Sequence, residues 1–118
     1  MKNLCTLFML LTVTLCKAQD IPKIAPEKAK QYVGKVVTVC GTVEEAYVSI
    51  VGNVFLNFGG KSPNQTFTAY FANIANQDSV KTNFKNYEGK NVCVTGKIQL
   101  YNSKPEIDVI EESQIVLQ

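Results

Sequence analysis

Three residue types are missing from this chain of 118 residues, and each absence excludes a kind of site. The chain has no histidine and no tryptophan, and all 12 of its basic residues are lysine. Without histidine, a catalytic cysteine would lack its usual base, and the common zinc ligand sets cannot form. Without arginine, the bidentate hydrogen bonds that a guanidinium group makes with phosphate or guanine are excluded. We therefore expect no catalytic residue, no metal site and no cofactor.

Acidic residues occur in two adjacent pairs, Glu44-Glu45 and Glu111-Glu112. Neighbouring residues of a strand point to opposite faces, so neither pair forms a catalytic dyad by itself. We interpret both pairs as solvated surface, and we expect that the protein is not an enzyme.

Residues 1–18 have the pattern of a secretory signal peptide. Lys2 supplies positive charge, the run from Leu4 to Leu15 is apolar, and Ala18 is a small residue suited to cleavage. The run is short for a membrane span. A lipid anchor on Cys16 is the less favoured alternative, because the residue before it is not small. We expect export to the periplasm or the medium, with no membrane span in the mature chain.

Cleavage after residue 18 would change the charge. It would remove Lys2 and Lys17 and no acid, which leaves 12 − 2 = 10 basic residues against 10 acidic ones and a formal charge of zero. The remaining chain is long enough for one hydrophobic core. We expect a short tether at 19–25, one domain at 26–118 and a monomer.

Two similar segments organise this domain, GKVVTVCGTV from Gly34 to Val43 and GKNVCVTGKI from Gly89 to Ile98. In each, aliphatic and polar residues alternate with a period of two, which predicts a β-strand with one buried face. Gly41 and Gly96 interrupt the alternation where a strand bends or another group comes close.

Five strands are predicted in all, with little helix. A short helix is predicted from Pro26, residues 73–87 are a helical or irregular insertion, and residues 102–105 are a turn. Residues 115–117 are an edge strand or a docked tail. The predicted strands are Val36–Tyr47, Val54–Phe58, Thr66–Ala72, Asn91–Tyr101 and Glu106–Ile110.

The two similar segments each carry one cysteine, Cys40 and Cys93. If the segments pair antiparallel with these cysteines opposite each other, Thr38 lies opposite Thr95. Every pair of opposite residues is then predicted to lie on the same face of the sheet. An even pair of cysteines in an exported chain favours a disulfide. Two free, half-buried thiols are the alternative, and the sequence leaves both open.

These strands resemble the OB-fold. The motif GK-x-V-x-V-x-G occurs twice, a Pro63-Asn64-Gln65 turn separates two strands, and Lys104 to Ile107 leads into the last one. The chain from about Pro26 to Ile110 looks like the small OB-fold domains of exported bacterial proteins, which are related in shape to anticodon-binding OB domains. The resemblance implies an all-β fold with minor helices. Its core would be a five-stranded Greek-key barrel with a short N-terminal helix and an insertion between strands three and four.

The resemblance also implies a place for a ligand. In OB-folds the ligand groove crosses the outer faces of the second and third strands, flanked by the loops after the first and fourth. Aromatic side chains with lysines nearby suit single-stranded DNA or RNA, because every base has a face that can stack. A neutral chain implies weak, salt-sensitive binding. The candidate ligand-binding residues are Phe55, Asn57, Lys61, Thr68, Tyr70, Tyr101, Asn102 and Lys104.

Two alternatives stay open. A protein partner in the cell envelope would use the same groove or the edge at Ile115–Leu117, with no nucleic-acid ligand. Alternatively, Phe55 and Tyr70 only cover the barrel. Four acids near the end strands would repel phosphate if they border the groove; they are Glu106, Asp108, Glu111 and Glu112.

Overall fold

The computed structural model describes residues 20–73 and 83–118. The predicted signal peptide and the alternative of a lipid anchor at Cys16 concern residues outside the described ranges, as does most of the predicted insertion, at 74–82. Three short 3₁₀ helices occupy Pro26–Tyr32, Phe84–Tyr87 and Glu112–Gln114. The strands are β1 Lys23–Ile24, β2 Val36–Val48, β3 Val54–Phe58, β4 Phe67–Phe71, β5 Asn91–Lys97, β6 Gln99–Tyr101, β7 Lys104–Asp108 and β8 Ile115–Leu117.

The main strands form a five-membered barrel. They are hydrogen-bonded in the order β6-β7-β4-β3-β2-β5, and β6 continues β5 after the single residue Ile98. The two ends of this order therefore belong to one long strand, which closes the sheet. The β4–β7 pair is parallel and the other barrel pairs are antiparallel. This arrangement confirms the predicted all-β OB-fold.

Two extra strands extend the barrel on one side. The two-residue β1 pairs with β2 in parallel, and β8 pairs antiparallel with β5. The C-terminal residues 115–117 are thus an edge strand, one of the two expected arrangements.

The barrel interior follows the alternation of the sequence. In each predicted strand, the aliphatic and aromatic residues at every second position are buried. Most of the residues between them face outward. Burial of this apolar set supplies the main driving force for the fold. The fully buried side chains of the barrel include Val37, Val39, Val43, Val54, Leu56, Phe58, Phe67, Val92, Val94 and Ile107.

One irregularity in β2 changes which side chains face inward. The register with β3 shifts between Val43 and Glu45, as in a β-bulge. A bulge adds one residue to its strand and so reverses the parity beyond it. Val43 and Ala46 are both buried as a result, and Tyr47 faces outward.

The two glycine-containing segments are neighbours, as predicted. In the β2–β5 pair, Cys40 lies opposite Cys93 and Thr38 opposite Thr95. The two cysteines form a disulfide across Cα atoms 4.0 Å apart. The hydroxyl groups of Thr38 and Thr95 are hydrogen-bonded at 2.7 Å. The disulfide is therefore confirmed over the alternative of two free thiols.

Close packing explains the glycines inside these two strands. A Cβ atom on Gly41 would lie 2.6 Å from Cγ of Pro26, at the start of the first 3₁₀ helix. A Cβ atom on Gly96 would lie 2.6 Å from Cγ2 of Ile107 in β7. Both distances are well below van der Waals contact, so a larger residue at either position would push neighbouring elements apart.

Several predicted boundaries differ from the structure, and the predicted last strand at 106–110 is observed as Lys104–Asp108. The predicted turn at residues 102–105 is a two-residue hairpin, and β7 begins at Lys104. Asn102 and Ser103 have positive φ angles of 50° and 66°, the values that a tight hairpin turn needs at both central positions. The first helix is of the 3₁₀ type and ends at Tyr32. Within residues 20–73 and 83–118, no helix is long and apolar enough to cross a membrane.

Candidate functional site

A groove of about 670 Å³ lies on the outer face of β3 and β4. Residues of β2, β3, β4 and β7 form its floor. Its walls come from the β3–β4 turn and the β6–β7 hairpin, through Ser62, Pro63 and Gln65 on one side and Tyr101, Asn102 and Lys104 on the other. The groove therefore lies where the OB-fold resemblance placed the ligand.

Three aromatic side chains form a continuous surface across this face. Tyr47, Phe55 and Tyr70 are successive cross-strand partners on β2, β3 and β4. The ring centroids of Tyr47 and Phe55 are 5.9 Å apart, and those of Phe55 and Tyr70 are 5.1 Å apart. These distances fall within the range of favourable aromatic pairs. We call these three residues the aromatic row.

A second set of cross-strand partners lies beside the aromatic row and is polar. Glu45, Asn57, Thr68 and Glu106 occupy successive positions on β2, β3, β4 and β7, and we call them the polar row. The Thr68 hydroxyl donates to Oδ1 of Asn57 at 2.8 Å, and Nδ2 of Asn57 donates to Oε1 of Glu45 at 2.9 Å. These bonds satisfy the two buried side chains, as burial of polar groups requires.

Glu45 also holds one wall of the groove. Its Oε1 atom accepts a hydrogen bond from the backbone amide of Ser62 at 3.0 Å, in addition to the bond from Asn57. These two bonds lower the pKa of Glu45, because they favour its ionised form. The interpretation of the Glu44-Glu45 pair as solvated surface is therefore wrong for Glu45, whereas Glu44 is exposed.

Glu106 is the other acid of the polar row, and its surroundings favour the neutral form. Burial raises its pKa to about 7, helped by a hydrogen bond with Asp108 and by the negative charge of that residue. Asp108 also accepts a hydrogen bond from Nε2 of Gln99 at 3.0 Å. Of the four acids considered from the sequence, Glu106 lines the groove.

This shift predicts a pH-dependent stability. Between about pH 4.5 and 7 the folded chain keeps a proton on Glu106 that the unfolded chain releases, so the free energy of unfolding falls as pH rises through this window. Because the side chain is only half-buried, we expect a loss of about 1 kcal/mol. Glu106→Gln, measured by urea denaturation at pH 5 and pH 8, should be more stable than the wild type at pH 8 alone. Equal gains at both pH values would contradict this assignment.

Lys104 and Gln65 connect the two walls of the groove. The Nζ atom of Lys104 donates to the backbone carbonyl of Gln65 at 3.1 Å. The side-chain oxygen Oε1 of Gln65 is buried and, within the described residues, has no hydrogen-bond partner. Buried polar atoms normally have a partner, so this oxygen is an exception among the polar atoms beside the groove.

The structure brings most of the candidate residues together. Tyr70 packs on Phe55 within the aromatic row, and Lys61 precedes Ser62 in a groove wall. The other candidates line the groove directly, and the ligand-binding role of all eight stays a prediction. Those that line it are Phe55, Asn57, Thr68, Tyr101, Asn102 and Lys104.

Other groove residues were not predicted from the sequence. In the turn between β2 and β3 the backbone amide of Ser49 donates to the backbone carbonyl of Asn53, and the resulting register places Tyr47 opposite Phe55. The turn is recognisable in the sequence, so it was the signal from which the pairing of Tyr47 with Phe55 could have been predicted. Over the described ranges, no three potential metal ligands cluster. The residues missed as ligand contacts are Glu45, Tyr47, Ser62, Pro63, Gln65, Pro105 and Glu106.

Comparison with known proteins agrees with the fold. A solved structure of a Leishmania major Friedlin protein, assigned as an aspartyl-tRNA synthetase, matches 89% of this chain with a TM-score of 0.51 and 14% sequence identity. The aspartyl-tRNA synthetase of Entamoeba histolytica matches 90% of it with a TM-score of 0.51 and 15% identity. The chain spans only 22% and 23% of these two proteins. No protein-family model and no curated protein matches the sequence.

Proposed function

We propose that this protein is a non-enzymatic binding module that holds single-stranded DNA or RNA weakly in the groove. The aromatic row carries this proposal, because successive flat side chains on an open sheet face can each accept a base. One stacked base contributes about 1–3 kcal/mol. Tyr101, which is largely exposed on the groove wall, adds a fourth aromatic group.

The structural neighbours support this proposal. Both are synthetases named for a transfer RNA, so this fold occurs within proteins that handle RNA. At 14% and 15% identity the likeness concerns the fold, and the ligand has to be argued from the groove itself.

The charges near the groove decide how tightly a phosphate backbone is held. The cations near the groove include Lys61, Lys85 and Lys104, and the acids include Glu45, Glu106 and Asp108. Binding to a phosphate chain gains affinity through counterion release by cations. With so few lysines, stacking supplies most of the affinity, and binding is weak.

Fluorescence anisotropy with short labelled DNA and RNA single strands at low salt tests the proposal. We expect measurable binding that weakens about tenfold in Phe55→Ala, because the variant loses one stacking platform. Val116→Ala is the matched control, since Val116 is an exposed apolar residue on β8, outside the groove. Absence of binding by the wild-type chain to either nucleic acid would refute the proposal.

A protein partner is the second candidate, because Glu45, Glu106 and Asp108 offset the lysines near the groove and so weaken its attraction for phosphate. Such a partner would be held in the groove or along β8, whose outer edge has no strand beside it in the described ranges. Co-purification that survives Tyr70→Ala but is lost in Val116→Ala would favour the edge. Loss in Tyr70→Ala alone would favour the groove.

We propose, further, that the protein works outside the cytoplasm, as the N-terminal sequence predicts. The Cys40–Cys93 disulfide supports this location, since such bonds persist in oxidising compartments. Thiol titration of the denatured, unreduced protein isolated from the cell envelope should detect no thiol from this pair.

A further inference from the structure

Two carboxyl groups lie side by side on the outer face of β7. Glu106 and Asp108 are two residues apart, so their side chains leave the strand on the same face, and they are hydrogen-bonded to each other. Such a bond needs a proton on one of the two groups. Asp108 is exposed and also accepts a bond from Nε2 of Gln99 at 3.0 Å, so it acts as the acceptor, and the half-buried Glu106 carries the proton.

The surroundings of Glu106 give its ionised form little support. Lys104 lies two residues before it on the same face, but the ammonium group of Lys104 donates to the backbone carbonyl of Gln65. The charge that acts on Glu106 most strongly is that of Asp108, and it is negative. The ionisable side chains on the other elements that contact β7 are Tyr70 of β4, Tyr101 of β6, Lys97 of β5, and Glu27, Lys28, Lys30 and Tyr32 of the first 3₁₀ helix.

A nucleic-acid strand in the groove acts on this proton in two ways. It covers Glu106, which lines the groove, and removes water that still reaches the half-buried carboxyl group. Loss of water disfavours the charged form. The strand also brings negative phosphates, and repulsion between like charges is strong in a partly buried site. Both effects favour neutral Glu106, so the bound strand and the proton stabilise each other.

We propose that Glu106 makes strand binding pH-dependent, so that the groove holds a single strand more tightly while this carboxyl group is protonated than when it is ionised. This inference rests on the proposed function and concerns the regulation of the same site. Because the pKa of Glu106 is raised to about 7 in the free chain, affinity is constant below that pH and falls as pH rises through it. Glu45 stays ionised over this range, because its pKa is lowered, and the chain has no histidine.

Anisotropy titrations with a labelled thymidine hexamer, whose bases stay uncharged, test this inference. They are made at low and equal ionic strength, at about pH 5.5 and about pH 8.5, on either side of the pKa of Glu106. We expect the wild type to bind about fivefold more weakly at the higher pH, because ionised Glu106 repels the strand. In Glu106→Gln the affinity should change less than about twofold, because an amide does not titrate.

Glu44→Gln is the matched control, because it removes one negative charge at an exposed position that does not line the groove. It should keep the wild-type pH dependence. In Asp108→Asn the fall in affinity should begin at a lower pH, because the charge that helps to raise the pKa of Glu106 is gone. The terminal amino group also titrates near neutral pH, and its contribution is measured in Glu106→Gln, which retains it. Urea denaturation of each variant verifies that it is folded.

The outcomes separate the two proposals. Equal affinity of the wild type at the two pH values, or tighter binding at the higher one, overturns the inference and leaves the proposed function standing. A pH dependence that persists undiminished in Glu106→Gln overturns the role of Glu106. Absence of binding at both pH values overturns the proposed function and the inference with it.

Discussion

Replacing both Cys40 and Cys93 by alanine is expected to lower the free energy of unfolding by about 4 kcal/mol, the loop-closure estimate for cysteines 53 residues apart. The bridge limits the conformations of the unfolded chain, and its loss restores them. A domain of this size has a total stability of about 5–15 kcal/mol, so the loss is a large fraction of it. Urea denaturation of the double variant and the oxidised wild type measures the difference.

Reduced wild-type protein is the control for this prediction. The urea concentration at its unfolding midpoint should be close to that of the double variant, because both proteins lack the cross-link while only the variant has changed side chains. An unfolding midpoint that is the same before and after reduction would contradict a stabilising bridge between β2 and β5.

Phe58→Ala is expected to lower the free energy of unfolding by about 3–5 kcal/mol. Phe58 has no exposed surface and packs against Phe67 in the barrel, with ring centroids 5.3 Å apart. Alanine would leave a cavity between β3 and β4 that the closed barrel can fill only in part. Urea denaturation followed by circular dichroism measures the change.

Phe55→Ala is the matched control, because it removes the same side chain from the same strand. Phe55 lies in the groove on the opposite face and is only partly buried, so its loss should destabilise the fold by about 1 kcal/mol. It should instead weaken nucleic-acid binding. Equal destabilisation by the two substitutions would contradict the assignment of inner and outer faces.

The barrel was predictable because one simple pattern runs through most of its strands. Alternation with a period of two put Leu56 and Phe58 on one face and Phe55 and Asn57 on the other, and the OB-fold resemblance assigned the second face to the groove. The predicted range of β3, Val54 to Phe58, agrees with the structure at both ends. The pairing of Cys40 with Cys93 was compatible with the same parity, but the sequence left free thiols open as well, and the structure decided between them.

The position of Glu45 was not predictable in this way, because a β-bulge interrupts the alternation. Continuing the pattern from Val43 would place Glu45 and Tyr47 in the interior, whereas the register shift turns them to the groove. A bulge depends on pairing with the partner strand, and local sequence does not specify it. Glu106 was named from the sequence among four acids that would repel phosphate if they bordered the groove, but its contact with Asp108 required the structure.

The short β6–β7 hairpin has a consequence for molecular recognition. Asn102 and Ser103 reverse the chain in two residues, which leaves Tyr101 and Lys104 little backbone freedom. The bond from Lys104 to the backbone of Gln65 ties this hairpin to the opposite wall. A bound molecule thus meets a cleft whose shape exists beforehand, and association loses little conformational entropy from the protein. Such preorganisation offsets part of the weakness that the scarcity of cations imposes.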